Sequence, residues 1–190
     1  MSFDQWGVLA LNGAAAGHAW LGALARILAS YGPEVFAVIL LAVWFVRPGV
    51  ADRSRKAVVM AVTAAVLALI VNAVLGHVWD RARPFYAEPG AVRALVHHPD
   101  DSSFPSDHAA GSFALAWGMM AAGAAYGWLL LLAALIALAR VAVGVHWPTD
   151  VIVGGAVGIG SAWAVRTYAA SWLLPLYRLA LRITFQRSTP

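Results

Sequence analysis

The sequence predicts an all-α fold, a polytopic membrane bundle of five to six transmembrane helices. Two observations predict it. Hydrophobic residues make up 62% of the 190 and charged residues only 12%, against roughly 25% charged in an average soluble domain. So little charge does not cover a water-soluble globule of this size. Uncharged stretches also recur at the length a bilayer demands. The same composition excludes other classes. The 13 Lys+Arg against 9 Asp+Glu give a net charge of +4, but the basic residues are scattered among apolar runs. They form no phosphate-tracking stripe, so no nucleic-acid partner is expected. The absence of cysteine removes disulfides, thiolate nucleophiles and sulfur-bound zinc. At this length residues 1–190 are expected to form a single domain.

Along the chain, Gly7 to Ala29 is apolar and Ala-rich but interrupted by Asn12, His18 and Arg26. Residues 1–30 therefore hold either an amphipathic interfacial helix or a first spanning helix with its polar groups turned inward, and the span is the preferred reading. Asn12 and His18 are expected to make helix–helix hydrogen bonds. No basic stretch precedes the run, which argues against a signal peptide. Gly32-Pro33-Glu34 reads as a helix start before the apolar run Val35 to Val46. Ala57 to Gly76 is 20 residues without a charge, enough at about 1.5 Å per residue to cross a ~30 Å hydrocarbon core. Ala109 to Ala139 is 31 uncharged residues, the length of a helical hairpin. Gly123 and Gly127 around Tyr126 supply its break. A further run from Val151 passes Arg166 and ends at Pro175. Spans are thus expected at about 57–78, 106–123, 128–145 and 150–173.

Orientation follows from the basic residues. Arg47, Arg53, Arg55 and Lys56 lie in one loop, and Arg178, Arg182 and Arg187 in the tail. The positive-inside rule places both in the cytoplasm. Residues 79–105 and the turn around His146 then fall on the extracytoplasmic face of a plasma (inner) membrane.

Three short segments at that face hold most of the remaining ionisable groups: Asp80-Arg81-Ala82-Arg83-Pro84-Phe85, Phe104-Pro105-Ser106-Asp107-His108, and Arg140 through His146 to Asp150. Guanidinium groups match phosphate oxygens in charge and fork geometry. An Asp four residues after a His can accept from one imidazole nitrogen and leave the other free to attack. His108, from a different span, is placed to protonate a leaving oxygen. Ser106 and the backbone N–H groups of 106–108 open a helix, itself an anion site. This set suits phosphoryl transfer through a covalent phosphohistidine with no metal or other cofactor. The expected roles are His146, Asp150 and His108 in catalysis and Arg83, Arg140 and Ser106 on phosphate. Arg81 is read either as a phosphate contact or as a partner of Asp80. Asp107 joins the cradle through its backbone N–H, with its side chain expected to cap the helix. The His97-His98-Pro99-Asp100-Asp101 stretch reads as a solvated loop.

These segments resemble the three signature motifs of the type 2 phosphatidic acid phosphatase family of membrane lipid phosphatases: Lys-x6-Arg-Pro, Pro-Ser-Gly-His and Ser-Arg-x5-His-x3-Asp. The matches are Arg83-Pro84, Pro105-Ser106, His108, Arg140, His146 and Asp150. Three positions depart: Gly76 stands where the family has lysine, Asp107 where it has glycine, and Ala139 where it has serine. Arg-x-Arg-Pro-Phe with Phe-Pro-Ser-Asp-His is similar to the undecaprenyl-diphosphatase branch. That resemblance implies a polyprenyl diphosphate hydrolysed at the outer face, with the bilayer and a lipid phosphate as the partners. Other lipid phosphates remain open as substrates, among them phosphatidylglycerophosphate, a lipid A phosphate and a polyprenyl monophosphate. A small anion or proton transporter is the competing reading from another class.

Overall fold

The structure, a computed structural model, describes residues 1–45, 51–99 and 101–185. Arg47, Asp100 and Arg187 lie outside them, as does Val46. Helix α1 (Phe3–Gly17) starts at a reciprocal cap, with Gln5 N donating to Ser2 Oγ at 3.2 Å and Ser2 N to Gln5 Oε1 at 3.0 Å. It ends where His18 turns extended. Helix α2 (Ala19–Phe45) then runs 27 residues without interruption through Pro33. The expected division of this region is therefore corrected: the break lies at His18, and no span covers 7–29. At 15 residues α1 is about 22 Å long, short of the hydrocarbon core. Pro33 does not start a helix because an apolar, protein-packed helix tolerates an internal proline.

Helix α3 (Ala51–Val78) leads to the short α4 (Pro84–Ala87) and a loop to α5 (Asp107–Met119). Two 3₁₀ turns, Met120–Ala122 and Ala124–Tyr126, meet at Gly123, and α6 (Trp128–Ala142) follows. This is the hairpin break expected from the glycines. Helix α7 (Pro148–Ala164) extends through a π-turn at Val165–Ala169, and α8 (Leu174–Phe185) closes the described chain. Four helical stretches are long and apolar enough to cross a membrane: Ala19–Phe45, Asp52–Val78, Ala124–Ala142 and Pro148–Ala169. Their outward faces carry Leu69, Ile70, Leu131, Ile152 and Trp163, all exposed. The chain is an all-α, multi-pass membrane protein, with no strand among the described residues.

Helix α5 runs down the middle, packed against α3, α6 and α7. Ala109, Ala110, Ala114 and Ala116 are fully buried on it. Small residues let helices approach where lipid offers no hydrophobic drive between them. The approach of α7 is closest: a Cβ at Gly158 would lie 2.3 Å from the Ala110 carbonyl oxygen, and one at Gly154 2.5 Å from that of Ser106.

The two ends of the bundle differ. At one, Tyr177 Oη bonds Asp52, Tyr126 Oη donates to Ser54 Oγ at 3.1 Å, and Arg53 Nε to the Ala121 carbonyl at 3.0 Å. This end holds the described basic residues of the 51–56 segment and α8. At the other, α1 lies across the α6–α7 turn. Asn12 Nδ2 donates to the carbonyls of Arg93 and Ala142, both at 2.9 Å, and its Oδ1 accepts from Arg93 N at 2.8 Å. The three polar segments gather there.

Candidate active site

Arg140 sits in the last turn of α6, almost wholly buried. Its Nη1 donates to the Ala29 carbonyl of α2 at 3.2 Å, and Nη2 lies 3.5 Å from His146 Nε2. Its Nε has no hydrogen-bond partner. The chain then turns at Gly144, whose φ of +83° is a left-handed value that favours glycine. A Cβ there would also lie 2.6 Å from the Arg93 carbonyl. That turn delivers His146 beneath the 101–105 loop.

His146 Nδ1 lies 2.8 Å from the Ser103 carbonyl oxygen. A carbonyl only accepts, so Nδ1 carries the proton and Nε2 presents its lone pair toward Arg140. The Asp150 carboxylate stands behind, its Oδ2 3.8 Å from Nδ1. The expected direct hydrogen bond from imidazole to Asp150 is thus replaced by one to Ser103. Asp150 is committed elsewhere: Oδ2 accepts from Trp147 N at 2.8 Å, and Oδ1 from Arg81 Nη1 at 2.7 Å. It is both a helix cap for α7 and a fixed negative charge beside the imidazole. His146 is pushed down from 6.5 to about 4, by burial first and by the charges of Arg140 and Arg83, against the opposing pull of Asp150. At neutral pH the imidazole is the uncharged base that a nucleophile requires.

Arg83, also buried, donates from Nε to Asp101 Oδ1 at 2.9 Å, from Nη1 to the Val145 carbonyl at 2.8 Å and from Nη2 to the Ser102 carbonyl at 3.0 Å. It clasps the turn before His146 to the loop above it. Ser106 caps α5, accepting from Ala109 N at 3.5 Å, while its own N–H donates to the Asp150 carbonyl at 3.1 Å. The N-termini of α5 and α7 thereby meet at the site, each favouring an anion. His108 lies in the first turn of α5, within electrostatic reach of Arg140, His146, His98 and Arg83.

Two expected roles change. Ser106, not Asp107, caps α5; the exposed Asp107 accepts from Asn72 Nδ2 at 3.0 Å. Arg81 does not pair with Asp80. Its guanidinium is spent on Asp150, on Asp4 Oδ2 at 2.6 Å and on Thr149 Oγ1 at 2.7 Å, and it lies over the Trp147 ring at 5.1 Å. Sequence reasoning missed Ser103, Asp4, Asn72 and His98. Ser103 acts through a carbonyl that any residue supplies, so it left no signal. Asp4 is distant in sequence from the motifs, and Asn72 from the Asp107 that it bonds. His98 was visible but read as solvated.

A model of the PAP2 superfamily matches residues 57–173, the stretch that contains Arg83, Ser106, His108, Arg140, His146 and Asp150. The chain belongs to the PAP2 superfamily. It is 32% identical over 144 residues to the undecaprenyl-diphosphatase BcrC of Bacillus subtilis (strain 168), covering 75% of this chain and 72% of the relative. Over 151 residues it is 34% identical to the putative undecaprenyl-diphosphatase YbjG of Escherichia coli (strain K12), with coverage of 75% and 72%. Among solved structures, that of Aquifex aeolicus LpxE shares the fold with a TM-score of 0.71 at 24% identity, over 88% of this chain and 97% of that one. This superfamily member is a membrane-embedded phosphatase.

Proposed function

We propose that the chain hydrolyses a polyprenyl diphosphate of the undecaprenyl type to the monophosphate, through a phosphohistidine on His146, at the extracytoplasmic face of the plasma membrane. The observation that carries this reading is the pairing at His146: Nδ1 is held by the Ser103 carbonyl, while Nε2 faces a guanidinium with a buried, unpartnered Nε. Such a donor is costly to bury unless a ligand meets it. Phosphate oxygens between Arg140 and the α5 N-terminus satisfy it and bring phosphorus to Nε2. The names of the curated relatives support the diphosphate, and the basic residues at the far end support the sidedness.

In this mechanism His146 Nε2 attacks the terminal phosphorus as the bond to the bridging oxygen breaks. His108, which takes up a proton as the substrate anion binds beside it, gives that proton to the departing oxygen and the lipid monophosphate leaves. Water then attacks the phosphohistidine, His108 takes its proton, the P–N bond breaks and phosphate departs. Arg140 and Arg83 hold the charge that gathers on the non-bridging oxygens, the principal means of accelerating phosphoryl transfer. Between α5, α6 and α7 a cavity of about 460 Å³ is lined by Phe113, Ala137, Leu138, Val151 and Ile152. It begins one residue past Asp150, so a prenyl tail lying in it keeps its head group at the site.

The test is phosphate release in detergent from polyprenyl diphosphates, polyprenyl monophosphates and phosphatidylglycerophosphate, with EDTA present. Preferred turnover of the diphosphate, and an acid-labile, base-stable phosphoenzyme on brief exposure to labelled substrate, are expected. Turnover confined to another lipid, or restored only by added metal, overturns the reading.

A further inference from the structure

Within the 97–101 stretch, expected to be solvated, His98 turns toward the site. His97 is exposed, but the His98 side chain is only 18% exposed. Its ring stands nearly perpendicular to that of His146, the centroids 6.3 Å apart. His98 Nδ1 lies 3.3 Å from the Pro99 carbonyl and 3.4 Å from Asp101 Oδ1, the oxygen that accepts from Arg83 Nε. One carboxylate oxygen thus links the cradle guanidinium to this imidazole. With its Nδ1 turned to acceptors, His98 leaves Nε2 without a hydrogen-bond partner among the described residues.

A monoester needs one cradle, which Arg140, Arg83, Ser106 and the α5 N-terminus supply. A diphosphate brings a second charged group on the leaving side of the terminal phosphorus. Arg81 brings no net charge to it, being paired with the two carboxylates of Asp4 and Asp150, and Gly76 has no side chain to offer. We propose that His98 contacts the second phosphate of the substrate, the one that stays on the lipid; this rests on the diphosphatase reading above. A neutral imidazole protonated at Nδ1 takes up a solvent proton at Nε2 as the anionic diphosphate binds and becomes a cation paired with the second phosphate. As the lipid monophosphate departs, that proton returns to solvent and His98 is neutral again. Burial and the nearby Arg83 charge hold His98 below its ordinary value in the free protein, so it enters the cycle uncharged. Asp101 is a positioning residue in this scheme, fixing His98 relative to Arg83.

The experiment compares the unaltered protein, His98→Ala and His98→Gln on one polyprenyl chain carrying either a diphosphate or a monophosphate. A charge-assisted contact is worth about tenfold or more, so His98→Ala should lower kcat/KM on the diphosphate by at least that order, mainly through KM. The fall on the monophosphate should be markedly smaller. His98→Gln, whose amide reaches a similar point, should recover part of the selectivity. The readout is a ratio within one preparation, so a misfolded fraction cancels. Equal losses on both substrates, no loss, or a Gln variant as unselective as Ala overturns the assignment while leaving the diphosphatase reading intact. Failure of the unaltered protein to hydrolyse the diphosphate overturns both.

Discussion

His146 owes its chemistry to three neighbours of different kinds: a carbonyl that sets the tautomer, a carboxylate one step behind it, and a guanidinium in front. Removing the imidazole in His146→Ala should abolish turnover and labelling of the protein by substrate. Asp150→Asn should leave a slow rate, because Ser103 still orients the ring. It should also lower stability by about 1.5–3 kcal/mol, the scale of a hydrogen bond to a charged group, read as a lower Tm in detergent. The pH dependence follows from the sign of the His146 shift. The folded imidazole stays neutral down to about 4, whereas an unfolded histidine takes its proton near 6.5. The acid limb of kcat/KM assigned to His146 is therefore expected near pH 4, not 6.5. Across the same window the unfolded chain binds a proton that the folded one refuses, so stability should fall as pH drops from about 6.5 toward 4. Arg81→Ala gives a different pattern: its partners are Asp4, Asp150 and Thr149, so activity on mono- and diphosphates should fall together, along with Tm. A lysine at Gly76 should not rescue it, since even a Cβ there lies 3.1 Å from the Phe104 carbonyl. The motif residues were legible because charge is rare in this chain and each instance stands out. What Arg81 bonds to was not, because its carboxylate partners come from two other segments.

At the level of helices, the apolar runs were legible and their junctions less so. The 123–127 break announced itself through paired glycines, while the α1–α2 break did not, because His18 is no turn former and Pro33 offered a stronger but misleading signal. The depth at which α5 and α7 pack was also hidden: glycine in a helix is ambiguous until its neighbour is known. Here the neighbour is the backbone of α5, which makes a prediction. Gly158→Ala places a methyl group 2.3 Å from the Ala110 carbonyl, and relief requires the helices to separate. Overpacking of this kind costs about 1–3 kcal/mol. Because the Ser106 N–H to Asp150 carbonyl bond spans the same pair of helices, activity should decline with Tm. A Gly158→Ala variant with unchanged Tm would show that the pair yields without strain.

Over the whole molecule, the proposed catalytic groups occupy one end of the bundle and the 52–56, 121–126 and α8 segments the other. The absence of native cysteine makes the sidedness directly measurable. Ala87→Cys, exposed beside the site, should react with an impermeant maleimide on intact cells; Ser171→Cys, exposed toward the opposite end, should react only after lysis. The reverse pattern would place the site in the cytoplasm. The all-α membrane bundle was legible from hydrophobicity alone. The part played by α1 was not, since nothing in its composition marks it as a brace. Asp4 accepts from Thr149 N at 2.9 Å and from Arg81, which in turn holds Asp150. The first turn of the first helix is therefore wired to the Asp150 carboxylate at a separation of 146 positions. For anyone purifying the protein, this decides where an affinity handle belongs. A bulky group attached just ahead of Ser2 should disturb Asp4 and lower activity, whereas one attached beyond Phe185, past α8 at the far end, should leave the site undisturbed.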